Sequence, residues 1–257
     1  MTLEEKVHQS IQQAAELIVN SNYLTCITGA GISVESGIRP FRGPGGLWTE
    51  KGEPPMDGYE RFLQDPKKYW ERRMKRNSEF SSTILNADPN PGHIALAKLE
   101  NIGILKSLIT QNIDNLHRAA GSKNILEIHG NMYYLRCLKC GEKWSIEKFT
   151  LDEIPPKCPD CEGIVKSDTV MFGEPIPRKV LQRCFEEAEK SDCMMVAGTS
   201  ATVSPASHLP IIVKRNTGNL IEVNIRRSEI SGLCNVNILA PSGESLPLLV
   251  REVKNLL

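Results

Sequence analysis

Two Cys-x-x-Cys pairs constrain the fold of this chain more than any other feature of its sequence. Cys137 and Cys140 form the first pair, Cys158 and Cys161 form the second, and seventeen residues separate the two pairs. This spacing is typical of a structural zinc ribbon. Four thiolates fill a tetrahedral site and leave no position for water, so the pattern predicts one structural Zn²⁺ per chain. Because the segment between the pairs carries no excess of basic residues, we expect no direct contact with nucleic acid.

The rest of the chain alternates between strand patterns and helical patterns. Apolar runs at 23–28, 108–110, 125–128, 193–197 and 221–224 are separated by amphipathic stretches. This alternation predicts an α/β fold with a doubly wound parallel sheet. The same patterns predict one long basic helix over residues 59–80 and a short strand over residues 169–175.

Composition excludes several classes of protein. The 257 residues carry a formal net charge of zero, which gives no argument for nucleic acid or an anionic membrane as a partner. No apolar run approaches the ~20 residues that a membrane span requires. The first ten residues are acidic and helical in pattern, unlike a signal peptide. Because the cysteines outside the paired pattern are scattered, we expect a reducing, cytoplasmic location.

Polar side chains follow two of the predicted strands. Gln111, Asn112 and Asp114 come after the run at 108–110, and His129 follows the run at 125–128. Ligands of open α/β sheets bind at the carboxyl ends of the strands, so we expect these groups to share one edge. A histidine in that position is suited to act as a general base, although a purely structural role remains the alternative.

Two short turns of small residues suit close approach to a nucleotide. Gly29-Ala30-Gly31 follows the first strand, and Gly198-Thr199-Ser200 follows a later one. Glycines at the end of a strand leave backbone N–H groups free to bind phosphate, although an ordinary corner has the same residues. The Gly- and Pro-rich segment 39–48 is either a cofactor lid or a surface linker. A nucleotide beside a general base suggests chemistry that the cofactor itself performs.

Together these motifs resemble the sirtuin family over nearly the whole chain. The segments that carry the resemblance are Gly29-Ala30-Gly31-Ile32-Ser33, Glu35-Ser36-Gly37-Ile38, Phe41-Arg42-Gly43, Gly46-Leu47-Trp48, Gln111-Asn112-Ile113-Asp114, His129-Gly130, the four paired cysteines, Phe172-Gly173-Glu174 and Gly198-Thr199-Ser200. The resemblance implies a Rossmann NAD-binding domain formed by residues 1–38, 84–131 and 168–257. It also implies a smaller domain formed by a cofactor loop and helical insert (39–83) and by the zinc ribbon (132–167), with a cleft between the two domains.

The resemblance implies an NAD-dependent protein-lysine deacylase that releases nicotinamide and O-acyl-ADP-ribose. His129 would be the catalytic base. The residues expected to bind NAD are Gly29, Ala30, Gly31, Ser33, Glu35, Phe41, Arg42, Trp48, Gln111, Asn112, Ile113, Asp114, Gly198, Thr199, Ser200, Asn224 and Ser242.

The implied partner is an acylated lysine in a protein substrate, bound to a monomeric enzyme as an extended strand. The residues expected to contact the substrate chain are Val170, Phe172, Gly173 and Glu174. One branch of the family selects acidic acyl groups with a Tyr-x-x-Arg pair, and this chain aligns Arg73 and Arg76 with that pair. Two arginines can bind a malonyl or succinyl carboxylate, so desuccinylase or demalonylase activity stays open beside deacetylase activity.

Three other functions remain as alternatives. Transfer of ADP-ribose to a protein would use the same cofactor and the same first step. A non-catalytic NAD sensor, or a zinc ribbon that binds nucleic acid, would not need His129. A hydride-transferring dehydrogenase is the least favoured, because no second polar domain follows the nucleotide fold.

Overall fold

The computed structural model describes residues 2–75 and 79–257 and contains two β-sheets. Arg76 lies outside the described residues. In chain order the strands are β1 (Leu24–Thr28), β2 (Leu105–Thr110), β3 (Ile125–Glu127), β4 (Tyr134–Cys137), β5 (Lys143–Ser145), β6 (Val165–Ser167), β7 (Cys193–Ala197), β8 (Asn219–Asn224) and β9 (Val236–Leu239).

The larger sheet has six parallel strands in the order β3-β2-β1-β7-β8-β9. This is the doubly wound Rossmann arrangement, and it confirms the predicted fold class. The chain order reverses between β1 and β7. Thr28, at the end of β1, pairs with Thr110 of β2 and with Ala197 of β7, so the three strands end level with one another. Such a switch point opens the crevice in which ligands of this fold bind.

Ten α-helices are assigned within the described residues. They are α1 (Leu3–Val19), α2 (Leu47–Lys51), α3 (Gly58–Gln64), α4 (Pro66–Lys75), α5 (Glu79–Leu85), α6 (Pro91–Asn101), α7 (Leu116–Ala119), α8 (Arg178–Lys190), α9 (His208–Arg215) and α10 (Ser242–Leu256). None of them is long and apolar enough to cross a membrane. Helix α1 begins with a capping box: the Glu5 N–H donates to Thr2 Oγ1 over 3.2 Å, and the Thr2 N–H donates to the Glu5 carboxylate.

Helices cover both faces of the six-stranded sheet. Helices α1, α6 and α10 pack on the face that carries Cys26 and Leu108. Helices α8 and α9 pack on the opposite face, which carries Ile27 and Ile109. Successive strand residues point to opposite faces, and with both faces buried the strands read as continuous apolar runs. This double burial explains why the sequence shows no hydrophobic alternation in these strands.

The smaller sheet is antiparallel, has the order β5-β4-β6 and packs against the helical insert. Trp70 of α4 is buried with Leu135, Val165 and two of the paired cysteines. Its indole N–H donates to the Val165 carbonyl over 3.0 Å. The ribbon and the insert therefore share one small core. The domain boundaries given above stay predictions.

The predicted helix over residues 59–80 is wrong as a single element. Helix α3 ends at Gln64 and α4 begins at Pro66. Asp65 between them has φ −146° and ψ 77°, because a residue that precedes proline is sterically excluded from the helical region. The chain therefore turns at Asp65, and α3 and α4 form two packed helices.

The predicted strand over residues 169–175 is also wrong. The strand that returns from the zinc ribbon is β6, which ends at Ser167. The following residues form turns, and Gly173 has a left-handed φ of 80°. A Cβ atom at Gly173 would lie 2.6 Å from the Met56 carbonyl oxygen, so the turn requires glycine at this position.

Candidate active site

A cavity of about 1240 Å³ opens at the carboxyl ends of β1, β2 and β7. It extends from the two glycine turns to the segment 169–175. The predicted site residues that line it are Gly29, Ala30, Gly31, Glu35, Phe41, Arg42, Trp48, Gln111, Asn112, Ile113, His129, Val170, Phe172, Gly173, Glu174, Gly198, Thr199, Ser200, Asn224 and Ser242. Ser33, Asp114 and Arg73 do not line the cavity. The sheet edge therefore brings together most of the predicted residues.

The two glycine turns are in direct contact with each other. The Gly31 N–H donates to the Gly198 carbonyl over 2.7 Å, and a Cβ atom at Gly31 would lie 2.6 Å from that oxygen. Gly198 has a left-handed φ of 62°. Glycine is therefore required at both positions, by close packing at Gly31 and by backbone conformation at Gly198. The resulting wall presents main chain to the cavity, as a phosphate site needs.

His129 has one ring nitrogen fixed by the main chain. Its Nδ1 atom lies 3.2 Å from the carbonyl oxygen of Gln111. A carbonyl oxygen only accepts hydrogen bonds, so Nδ1 carries the proton and Nε2 carries the lone pair in the neutral ring. Burial lowers the pKa of His129, and the bond to Gln111 offsets part of that effect. The ring is therefore held neutral, with Nε2 as its basic atom.

The polar side chains after β2 brace the glycine turns and do not contact His129. Gln111 Nε2 donates to Thr199 Oγ1 over 2.9 Å. Asn112 Nδ2 donates to the Gly29 carbonyl over 3.1 Å and to Ser33 Oγ over 3.0 Å. Of Gln111, only the main-chain carbonyl is hydrogen-bonded to His129. These side chains link the ends of β1, β2 and β7 across the switch point.

Asp114 and Ser33 lie behind the cavity wall. Ser33 Oγ donates to Asp114 Oδ2 over 2.7 Å, and the Leu116 N–H donates to Asp114 Oδ1 over 3.0 Å. Burial raises the pKa of Asp114, and these two hydrogen bonds oppose the rise. The pair supports the Asn112 side chain from the protein side, and a direct contact of Asp114 or Ser33 with a cofactor stays a prediction.

Two further histidines are buried below the site. His93 Nδ1 accepts from the Asn90 N–H over 3.3 Å, which completes the capping box at the start of α6. His117 Nε2 contacts Thr28 Oγ1 at 2.9 Å. Burial lowers the pKa of His93 to about 4 and that of His117 well below its ordinary value. Both rings are therefore neutral at physiological pH.

Aromatic and polar contacts hold the loop 39–48 over one side of the cavity. Phe41 stacks on Trp48 with ring centroids 4.6 Å apart, and Trp48 meets Phe172 edge-on at 5.5 Å. Arg42 pairs with Glu53 at 2.7 Å and donates to Thr202 Oγ1 over 3.2 Å. Sequence reasoning missed both partners of Arg42, since neither stands in a recognisable motif.

The four paired cysteines converge as predicted. Their sulfur atoms all lie within 4.8 Å of one another. Sγ of Cys137 is 3.5 Å from that of Cys161, and Sγ of Cys140 is 3.7 Å from that of Cys158. Zn–S bonds of about 2.3 Å in a tetrahedron place the sulfurs about 3.8 Å apart. The cluster therefore fits Zn²⁺ with no coordination position left over.

Arg73, one of the two residues predicted to select an acidic acyl group, does not line the cavity. The Arg73 guanidinium lies 6.0 Å from the centre of the Trp70 ring. Arg76 is not among the described residues. An acidic pocket built from Arg73 and Arg76 therefore stays a prediction.

Comparison with known proteins agrees with the resemblance inferred from the sequence motifs. A profile described as the Sir2 family matches residues 29–205, more than half of the chain. The chain belongs to the Sir2 family. An NAD-dependent protein deacylase from Thermococcus kodakarensis is 43% identical to this Sir2-family chain over 250 residues, which are 95% of this chain and 96% of the relative. The resemblance to the sirtuins is thereby confirmed.

Solved structures of Sir2 proteins share the fold. A mutant Sir2 homologue in complex with ADP-ribose superposes with a TM-score of 0.81 at 38% identity, covering 95% of this chain and 96% of that one. A Sir2 complex with a p53 peptide and NAD⁺ superposes with a TM-score of 0.78 at 31% identity, covering 95% and 99% of the two chains.

Some residues that line the cavity of this Sir2-family protein were not singled out from sequence. Arg226 and Arg227 follow the end of β8 at Asn224 by two and three residues, so the strand-end argument applies to them as well. Met56 comes from the helical insert and contacts the turn at Gly173. No local pattern marks Met56, because its position depends on the packing of the insert against segment 169–175.

Proposed function

We propose that this protein is an NAD-dependent protein-lysine deacylase. The observation that carries the proposal is the buried ring of His129, whose Nε2 carries the lone pair in a cavity walled by two glycine turns. Membership of a family whose relatives are named NAD-dependent protein deacylase or deacetylase supports the same function.

The cavity fits NAD in size and chemistry. Its volume of about 1240 Å³ exceeds the ~300–1,000 Å³ of typical small-molecule sites and leaves room for a dinucleotide beside an acyl-lysine. The glycine turns would allow the diphosphate to approach the main chain closely, and Arg42 and Ser200 would bind it. Asn224, whose Nδ2 donates to the Thr199 carbonyl over 3.0 Å, and Ser242 would bind the adenosine end. When bound, NAD supplies an electrophilic ribose carbon and nicotinamide as the leaving group.

His129 acts as the base in this proposal. Its Nε2 accepts a proton from a ribose hydroxyl, and its Nδ1–H stays bound to the Gln111 carbonyl throughout. The carbonyl also stabilises the imidazolium that forms. Because burial lowers the pKa of His129, the ring is neutral and ready to accept a proton near pH 7. The stacked rings of Phe41 and Trp48 would cover this region and exclude water.

The substrate peptide would bind along segment 169–173 as an added strand. The carbonyl of Val170 and the N–H of Gly173 have no hydrogen-bond partner among the described residues. Main-chain pairing of this kind tolerates many substrate sequences, because it reads little side-chain information. The site is built from one chain, so a monomer suffices for catalysis. A cytoplasmic location belongs to the same proposal, since none of the eight cysteines, all within the described residues, forms a disulfide.

We propose an uncharged acyl group as the preferred one. Ile113, Val170 and Phe172 line the same cavity as His129, and the Val170 N–H donates to the His129 carbonyl over 2.8 Å. An apolar wall favours acetyl or a longer aliphatic chain over a carboxylate, which would need a paired cation there. A preference for succinyl-lysine over acetyl-lysine that is lost in an Arg73→Met variant would instead support the acidic alternative.

Product analysis tests the proposed function against ADP-ribosyl transfer. The protein is incubated with NAD and an acetyl-lysine peptide, and the products are separated by mass spectrometry. Deacetylated peptide, nicotinamide and O-acetyl-ADP-ribose in equal amounts are expected. A protein that stably gains ADP-ribose, with no loss of acetyl groups from the peptide, would establish the transferase instead.

A further inference from the structure

Two buried cations face each other across the small sheet. Arg136 of β4 and Lys166 of β6 are direct cross-strand partners. The Lys166 side chain is 0% exposed and that of Arg136 is 10% exposed. Like charges in this position destabilise a sheet, and a buried charge without a partner costs several kcal/mol. The pair therefore requires a buried anion.

Glu174 supplies that anion and uses both carboxylate oxygens to do so. Its Oε1 lies 2.6 Å from Arg136 Nη2, and its Oε2 lies 3.0 Å from Lys166 Nζ. Its side chain is only 2% exposed although the residue belongs to the cavity wall. Both carboxylate oxygens of Glu174 are therefore engaged within the protein, and a direct contact of Glu174 with the substrate stays a prediction.

A second carboxylate completes the cluster. Asp168 lies 3.0 Å from Arg136 Nε and 2.7 Å from Nζ of the partly exposed Lys143. Three cations thus surround two carboxylates, which leaves the cluster with one excess positive charge. Removal of Glu174 would raise that excess, and removal of Lys166 would cancel it.

The same groups hold the main chain that faces the cavity. Lys166 Nζ donates to the carbonyl oxygens of Ser167 and Thr169, each over 2.7 Å. Glu174 Oε2 accepts from the Met171 N–H over 2.9 Å. These bonds fix segment 169–173 on both sides of Val170. Arg136 directly precedes the zinc ligand Cys137, so the cluster also connects this segment to the ribbon.

We propose that Glu174, Lys166 and Arg136 are positioning residues for the substrate peptide. They hold segment 169–173 in the conformation that pairs with an incoming strand, and they act through the main chain without touching the substrate. This inference rests on the proposed function, because it takes that segment as the peptide-binding edge. Lys166 keeps its charge through the ion pair with Glu174, although burial lowers its pKa to about 8.

Charge-swap variants test the proposal with peptide binding as the readout. The dissociation constant of a fluorescent acetyl-lysine peptide is measured by anisotropy, beside the NAD dissociation constant and the peptide KM. Glu174→Gln should weaken peptide binding by about tenfold, a minor share of the cost of breaking a buried ion pair. NAD affinity and zinc content should stay at the wild-type level. The double variant Lys166→Met/Glu174→Gln restores the charge balance and should recover part of the lost affinity.

Two controls separate positioning from loss of stability. Glu187→Gln removes a carboxylate that pairs with Lys190 at 3.0 Å and accepts from the Tyr23 hydroxyl, away from the cavity. It should lower the melting temperature without changing the peptide affinity. Lys166→Met keeps the Arg136–Glu174 pair and should weaken peptide binding less than Glu174→Gln does. It also provides the test if Glu174→Gln fails to fold.

The outcomes are distinct. Unchanged peptide affinity in folded Glu174→Gln and Lys166→Met, or equal losses of peptide and NAD affinity, would overturn the positioning role. If the double variant binds the peptide no more tightly than Glu174→Gln does, charge balance is not the basis of the positioning role. If the wild type binds NAD but neither binds nor deacylates any acyl-lysine peptide, the proposed function fails and the positioning role fails with it. If the wild type deacylates the peptide and the variants match it, only the positioning role fails.

Discussion

The Nδ1 atom of His129 lies 3.2 Å from the main-chain carbonyl oxygen of Gln111. This contact sets the tautomer of the ring and leaves Nε2 as its basic atom. It joins the ends of β2 and β3. Gln111 is the first residue after β2, and His129 is the second residue after β3. The pairing of two neighbouring strands thereby fixes the orientation of the proposed base.

The pH dependence of turnover follows from the burial of this ring. Protonation of Nε2 removes the base, so activity is lost as the pH falls through the pKa of His129. Burial lowers that pKa below the ordinary value of 6.5, so the acid limb of kcat/KM should have its midpoint below 6.5. A pH–rate profile with an acetyl-lysine peptide measures it. A midpoint above 6.5 would contradict the buried, neutral ring.

Stability should also fall in acid because of His93. Its folded pKa is about 4, whereas the unfolded chain has the ordinary value of 6.5. The unfolded state therefore binds more protons below pH 6.5, and the stability present above that pH is lost as the pH falls toward 4. The loss from this group is roughly 3 kcal/mol. Urea melts at several pH values measure it, and His93→Gln should flatten the dependence. An equally steep dependence in that variant would exclude His93 as its source.

Replacing Gly31 by alanine tests the contact between the two glycine turns. The new Cβ would lie 2.6 Å from the Gly198 carbonyl oxygen, so one turn must move. We expect the variant to be less stable by about 1–3 kcal/mol. Its affinity for NAD should be weaker than that of the control, by up to about tenfold. Gly232→Ala is the matched control, because nothing lies within 4 Å of its Cβ position. Calorimetry of NAD binding that gives equal affinities for the two variants would contradict the account.

Zinc removal should disrupt the small domain. Cys137 and Cys158 are buried in one core with Trp70, so loss of the metal should expose that indole. Structural zinc contributes on the order of 10 kcal/mol to folding. Chelation should release one Zn²⁺ per chain and shift the tryptophan fluorescence, and Cys140→Ser should do the same. Cys234→Ser is the control, since Cys234 lies outside the cluster. Unchanged fluorescence and activity after verified zinc removal would contradict a structural role.

Features that depend on local stereochemistry could be predicted from the sequence. The cysteine pairs, the glycine turns and the Thr2 capping box each need particular residues at a fixed spacing, and the structure contains all of them. The break at Pro66 was equally visible in the sequence. It was missed because the basic, aromatic pattern on both sides continued the helical periodicity.

Other features depend on the tertiary arrangement. The partner of His129 is a main-chain carbonyl, which leaves no trace in side-chain identity. The side chains of Gln111 and Asn112 hydrogen-bond to the glycine turns. These groups meet only because of the order of the strands in the sheet. The role of Glu174 follows from the cross-strand pairing of Arg136 with Lys166. No spacing rule relates these residues, because they lie on separate strands and loops.

The most direct test of the central claim is turnover of an acetyl-lysine peptide with and without NAD by the wild type and His129→Ala. The exposed His8 provides the matched control, His8→Ala. NAD-dependent deacetylation is expected of the wild type and of His8→Ala. In His129→Ala, activity should fall by about 10²–10⁴-fold with NAD still bound. Deacetylation without NAD, or full activity in His129→Ala, would contradict the central claim.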